Sequence, residues 1–363
     1  MTRPLGFKPD FPQTAARFEA WWHRQIIDRP PVSLGVKPKR PMVMPRKSHA
    51  DWRQRWFDAE FQVECAIAYM AGRQWVGDAI PFFNPNMGPD ICAAPLGVEL
   101  EFSEHSSWSV PIFHEAGDWP KLFGITPDFD NVYWKQIEIM QDMAIERCDG
   151  RFLVGMTDLH GSYDILAALR DPQMLCMDIM DCPDMIARAG LHVSDLINQC
   201  FQRQWDKVRS TGFGSTCWTT TYHDGPAYVS NCDFWCMVSH EVAREMILPC
   251  IEKEMEPLDR SIFHLDGPRA LRHLDLLLDL PKLNAVQWVY GAGGGRASDW
   301  IEVYQRCQRA GKGVQVIAAD AEDAMTVFGQ LEPEGVWLCV GGEFESEAAA
   351  EAFLKDVSRV SSG

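Results

Sequence analysis

The stretch SIFHLDGPRALRHLDLLLDLPKLNAVQWVYGAG, residues 261–293, decides the fold. It opens on a short β-branched and aromatic run, passes a Gly-Pro, continues with apolar residues three and four apart, and closes on a second short apolar run. That is strand, helix, strand, and strands joined through a helix lie parallel. The same rhythm extends in both directions. PPVSLGVK at 30, AIPFFNP at 79, RFLVGMTDL at 151, STCWTT at 215, GVQVIA at 313 and GVWLCVG at 335 read as strands, with helical patterns between them. With SIFHLD and AVQWVYG the count reaches eight, which predicts an α/β fold of the (β/α)8 TIM-barrel type. Residues 1–363 are read as one domain, of which 1–30 form an N-terminal helical extension. LGVELEFSEHSSWSVPIF, from Leu96, alternates polar and apolar residues and is read as a β-hairpin excursion over one end. An open doubly wound sheet is the alternative, but no GxGxxG follows the first strand.

Composition limits the function classes. The chain is 46% hydrophobic and 23% charged, enough to bury a large core. A formal net charge of -17 disfavours nucleic acid and acidic membrane as partners. No window reaches the length of a membrane span, and MTRPLGFKPDFP lacks the apolar segment of a signal peptide, so a cytoplasmic location is expected. The twelve cysteines show no paired CxxC spacing and read as reduced core residues, Cys339 excepted. A homodimer is the default for such a barrel.

Chemistry in a barrel of this kind sits where strands end. Polar and aromatic residues gather there: Asn84 and Asn86, Asp158 and His160, Trp218 and Tyr222, His264 and Asp266, Trp288 and Tyr290, and Cys339. His264 and Asp266, two apart on a strand, face the same way, and a thiolate from Cys339 would complete a three-ligand zinc set. The competing reading is a hydrogen-bonding His and Asp facing an organic substrate. Asp158 and His160 either cap a helix or line the pocket. Asp233 either holds a loop or acts as an acid or base, and Trp218, Trp288 and Tyr290 either pack the barrel top or touch substrate. GAGGGR at 291–296 reads as a hinge or close backbone approach more than as an anion site.

CDFWCMVSHEVAREMILPCIEKEMEPLDRSIFHLDGP resembles the uroporphyrinogen decarboxylase superfamily. There a strand-end aspartate, a Ser-Pro-Glu-like helix start, a helix ending in Leu-Pro and a strand ending in His-x-Cys or His-x-Asp/Asn follow in order. Here these are Asp233, Ser239 to Glu241, Leu248-Pro249, and His264 with Asp266. The resemblance covers most of residues 60 to 357 and implies a TIM-type barrel. True porphyrinogen decarboxylases look for an Arg-rich segment after the first strand and an aspartate after the second; this chain has SLGVKPKRP and Asn84. An amide supplies no anionic charge to a protonated pyrrole. The resemblance is therefore closer to the corrinoid-linked methyltransferases, which carry zinc on a His-x-Cys pair and a second Cys near the last strand. His264 and Cys339 match those positions, and Asp266 replaces the middle thiolate.

What the resemblance implies is a zinc-assisted methyltransferase with His264, Asp266 and Cys339 as ligands, acting on a small molecule with a corrinoid protein or folate as methyl carrier. His264, Asp233 and His160 are the candidate catalytic residues; Asn84, Asn86, Trp218, Tyr222, Trp288 and Tyr290 are the candidate substrate contacts. Two alternatives stay open. One is a metal-free decarboxylase or lyase on a small organic acid, with His264 and Asp266 as its acid/base pair. The other is a ligand-binding barrel without catalysis.

Overall fold

The computed structural model describes residues 2–361. Among these residues the strands are β1 (Val32–Val36), β2 (Phe82–Phe83), β3 (Glu99–Phe102), β4 (Ser107–Val110), β5 (Leu153–Val154), β6 (Ala227–Asn231), β7 (Arg260–Asp266), β8 (Ala285–Val289), β9 (Gly313–Ala318) and β10 (Val336–Phe344). Six of them form one sheet in the order β1-β10-β9-β8-β7-β6, and every pairing in it is parallel. β2 and β5 form a second, two-stranded parallel sheet. Helices fill the connections, giving a TIM-barrel-like α/β architecture. β3 and β4 pair antiparallel, the excursion that the alternation after Leu96 predicts.

One strand is misplaced by the sequence reading. Residues 215–220 are not a barrel strand, although Thr and Trp favour extended backbone. They rise beside β5 through a single parallel bridge, Met156 to Cys217, and the chain returns through an antiparallel bridge between Ser215 and His223. Thr220 takes a left-handed φ of 62° at the reversal. Ser215 Oγ holds the base of this arm, donating to the Gly225 carbonyl at 2.6 Å and accepting from Ala227 N at 2.9 Å. The strand that pairs with β7 is β6, which starts after that turn and leads straight to Asp233.

The helix Phe11–Trp22 covers the end of the sheet where strands begin. Its apolar face, Phe11, Phe18 and Trp21, is at most 1% exposed. Each such side chain contributes roughly 1.5–3 kcal/mol by leaving water. Trp21 Nε1 donates to the Gly335 carbonyl just ahead of β10 at 2.8 Å, and Trp22 Nε1 donates to the Tyr222 carbonyl at 2.9 Å. With this end sealed, the strand C-termini are the open face.

The seal is locked by Asp78, which is fully buried. Its carboxylate accepts from Thr14 Oγ1 at 3.1 Å, Arg17 Nη1 at 3.0 Å, Val32 N at 2.9 Å and from Arg29 Nη1. Helix, β1 and the segment entering β2 thus meet on one charge. Removing it leaves the Arg29 guanidinium, 5% exposed, without a counter-ion. Asp78→Ala is expected to lower stability by about 3–5 kcal/mol in urea unfolding. A loss under about 1 kcal/mol would show that the cluster is not the lock.

Candidate functional site

At the open face, Asp233, His264 and Asp266 each offer one ligand atom, and these atoms lie within 4.8 Å of one another. The strand order explains it. β6 and β7 are hydrogen-bonded neighbours, with Asn231 opposite His264 in the register. Asp233 follows two residues after Asn231, at the start of the turn Asp233–Met237. Asp266 ends β7, two residues beyond His264, so period-two alternation turns both to one side.

Asp164 positions Asp233. It sits in the first turn of the helix Ser162–Arg170, and its carboxylate accepts from Asp233 N at 3.1 Å, Phe234 N at 2.8 Å and Gly161 N at 3.2 Å. Gly161 is needed here, because a Cβ would stand 2.2 Å from the Asn231 carbonyl oxygen. Burial and the Asp233 charge among its neighbours push the Asp164 carboxyl up. His160 precedes this helix with a left-handed φ of 51°, and its Nε2 lies 3.4 Å from Asp158 Oδ2. Burial opposes charge on the imidazole, but Asp158, with Asp164 and Asp233 beyond it, raises His160 to about 10. Burial likewise opposes charge on Asp158, and His160 more than offsets it, holding that carboxyl low. The pair is therefore ionic at neutral pH. His160, Asp164 and Asp233 line a cavity of about 290 Å³ together with Asp90, Phe234 and Met237.

Cys339 is not part of the three-residue group. β8 and β9 separate β7 from β10, about 14 Å along the sheet at roughly 4.8 Å per strand. Two glutamines fill that interval. His264 Nδ1 meets Gln287 Oε1, Gln287 Nε2 donates to Gln315 Oε1 at 2.8 Å, and Gln315 Nε2 donates to Cys339 Sγ at 3.2 Å. Burial pushes the Cys339 thiol up to about 12, so it stays protonated. It faces a second cavity, of about 440 Å³, with Thr220, Arg73, Phe82 and Gly341 among its lining residues.

The aromatic and amide candidates divide. Trp218 stands edge-on to the His264 ring, centroids 5.1 Å apart, and its buried Nε1 has no hydrogen-bond partner among the described residues. Asn84, after β2, also keeps a buried Oδ1 without a partner among the described residues. Asn86 is exposed and shapes a turn by accepting from Gly88 N at 2.8 Å. Trp288 is fully buried against Trp300, ring centroids 5.2 Å apart, on the face of β8 opposite Gln287. Tyr222 is likewise turned away, its ring 5.0 Å from Phe11 and its hydroxyl donating to Asp224 at 2.8 Å. The Tyr290 hydroxyl donates to the Ile317 carbonyl at 3.0 Å. In GAGGGR, Gly291, Gly293 and Gly295 take left-handed φ values. The amides of Ala297 and Ser298 already donate to Asp323 at 3.1 and 3.0 Å, so the segment is a turn and not an anion cradle.

Three important residues escape the sequence reading: Asp164, Gln287 and Gln315. The glutamines carry a usable signal, since an amide inside the apolar runs AVQWV and GVQVIA must find a buried partner.

No family model matches this chain, and no curated protein does. Solved structures do. A methyltransferase from Methanosarcina mazei aligns over 95% of this chain and 98% of its own, with a TM-score of 0.61 at 10% identity. A B12-independent methionine synthase from Shewanella sp. W3-18-1, in complex with selenomethionine, covers 92% of this chain and 96% of its own, with a TM-score of 0.41 at 10% identity. The first likeness is one of fold alone, and it agrees with the TIM-barrel-like architecture of the sheet and helices.

Glu254 anchors the same helix start from below. Its Oε1 accepts from Ser162 N at 3.0 Å and Ser194 Oγ at 3.2 Å, and burial raises its pKa to about 7 from an ordinary 4.5. A carboxyl raised on folding favours the native state at low pH, and that contribution is lost as pH climbs from about 4.5 through 7. Above that window the buried charge costs on the order of 3 kcal/mol. Glu254→Gln keeps the accepting oxygen and removes the charge. Urea unfolding should find the variant more stable than the parent at pH 8, with the gap closing toward pH 4.5; a constant difference would refute the assignment.

Proposed function

We propose that this chain is a metal-assisted methyltransferase in which Asp233, His264 and Asp266 hold a divalent cation. The carrying observation is the convergence of those three ligand atoms within 4.8 Å at the open end of the strands. One imidazole and two carboxylates are donors that zinc accepts, and the two negative charges balance a dication. The fold likeness to a protein described as a methyltransferase supports the reaction class. Bound there, the cation supplies Lewis acidity to the substrate atom that gives or receives the methyl group. The chain's own residues do the rest. Asp164 holds Asp233 in place through backbone bonds, Trp218 restrains the His264 ring, and cationic His160 faces the cavity that Asp233 shares. That cavity, about 290 Å³, suits a small acceptor. The methyl carrier, a corrinoid protein or a folate, would approach from the rim.

A metal-free lyase acting on a small organic acid is the second reading, favoured by the cationic His160 on the same cavity. Protein equilibrated with zinc and then dialysed should retain about one ion per chain under the first reading, measured by elemental analysis. Asp233→Ala and Asp266→Ala should lose it, and Cys339→Ala should keep it. Methyl transfer from methylcobalamin or methyltetrahydrofolate should fall on the order of 1,000-fold in His264→Ala, the scale of several kcal/mol of Lewis-acid stabilisation. A folded protein that retains no zinc would overturn the metal reading and leave the lyase.

A further inference from the structure

The amide line between His264 and Cys339 has a direction. Carboxamide oxygen is only an acceptor and carboxamide nitrogen only a donor. Because Gln287 presents Oε1 to His264, the imidazole has to donate from Nδ1. Because Gln287 gives its Nε2 to Gln315 Oε1, turning Gln287 alone would set oxygen against oxygen at Gln315. Gln315 in turn donates its Nε2 to Cys339 Sγ at 3.2 Å. Both glutamines are 3% exposed, so water does not offer them another partner. Trp218, edge-on to the imidazole, restrains ring rotation from another side.

We propose that Gln287, backed by Gln315, is a positioning residue that holds His264 as its Nδ1–H tautomer and so leaves Nε2 as the nitrogen available to a cation shared with Asp233 and Asp266. The opposite polarity would put the proton on Nε2 and remove the only nitrogen able to bind a cation. Imidazole ligands in proteins commonly have their second nitrogen engaged in this way. Here the partner is a neutral amide tied to the next two strands, so the geometry of β8, β9 and β10 reaches the site through one file of side chains. The functional value of this arrangement rests on the metal reading; the tautomer itself does not.

The experiment is nitrogen NMR on metal-free protein carrying 15N-histidine, with His264 assigned by difference from His264→Ala. The parent should show protonated Nδ1 and a bare Nε2. Gln287→Leu should shift His264 toward Nε2–H, the form that free histidine favours in water, and weaken zinc binding by about 10- to 100-fold. Gln315→Glu, which keeps an oxygen accepting from Gln287 Nε2 and sets its other oxygen to the Cys339 thiol, should preserve the Nδ1–H form and guards against a leucine variant that fails to fold. An Nε2–H signal in the parent, or in folded Gln315→Glu, or an unchanged tautomer in folded Gln287→Leu, would overturn the proposal. An Nδ1–H parent that binds no zinc would sink the metal reading alone and leave the positioning role standing.

Discussion

Everything at this site depends on a constraint of parallel sheets: each strand sends every second side chain inward, at a level set by its neighbours. Polar groups placed inward have nowhere to find water and must satisfy each other. His264, Gln287, Gln315 and Cys339 meet that demand along consecutive strands. The result is stiff. An unpaired buried amide costs about 1–3 kcal/mol, so removing a member leaves the neighbouring amide without its partner. The imidazole is thereby fixed by the sheet and needs no flexible loop to orient it.

The carboxylates are fixed differently, through the loops that follow the strands. Asp164 collects three backbone amides from two separate segments, which ties the start of the helix Ser162–Arg170 to the turn carrying Asp233. His160 sits next to Gly161 in a left-handed conformation that non-glycine residues adopt at a cost. Its ion pair with Asp158 helps offset that cost and keeps the cationic ring in the cavity wall. Sheet and loops thus supply one donor type each to the proposed cation site, the nitrogen from a rigid strand interior and Asp233 from a stapled turn. Asp266 stands where the two meet.

The alternation of apolar runs and amphipathic segments was enough to read the α/β architecture, because burial on both faces leaves its mark on every strand. The hairpin β3–β4 was legible for the opposite reason, its period of two showing one wet face. β6 was not. Its AYVSN follows a Gly-Pro turn and is less rich in β-formers than the Thr-rich arm beside it, so propensity selected the wrong segment. His264 and Asp266 could be paired from spacing alone. Their third partner could not, since spacing along the chain says nothing about which strand lies alongside; Asp233 comes from the neighbour of β7, and Cys339 from three strands away. Trp288 takes the other face of β8 from Gln287, which strand-end location does not specify, and Tyr222 lies on the returning arm after Thr220 and not at a strand end.

The balance of charge bears on what the site accepts. Asp158, Asp164, Asp233 and Asp266 crowd one rim, with His160 as the group held cationic among them. Asp266 is pushed above its usual range, by burial first and with Asp233 adding to the push although His264 opposes it, and Asp164 is raised for similar reasons. Carboxyls raised by burial, with a neighbouring carboxylate adding to it, mark a place where negative charge is costly to hold. Such a site is relieved by protons or by a cation. The proposed dication relieves it at neutral pH without giving up the carboxylate form, which makes Asp266 in place of a cysteine consistent with a harder, oxygen-rich set. Oxygen donors leave more positive charge on a cation than thiolates do, so Asp233 and Asp266 would favour polarisation of a bound substrate over electron donation to it.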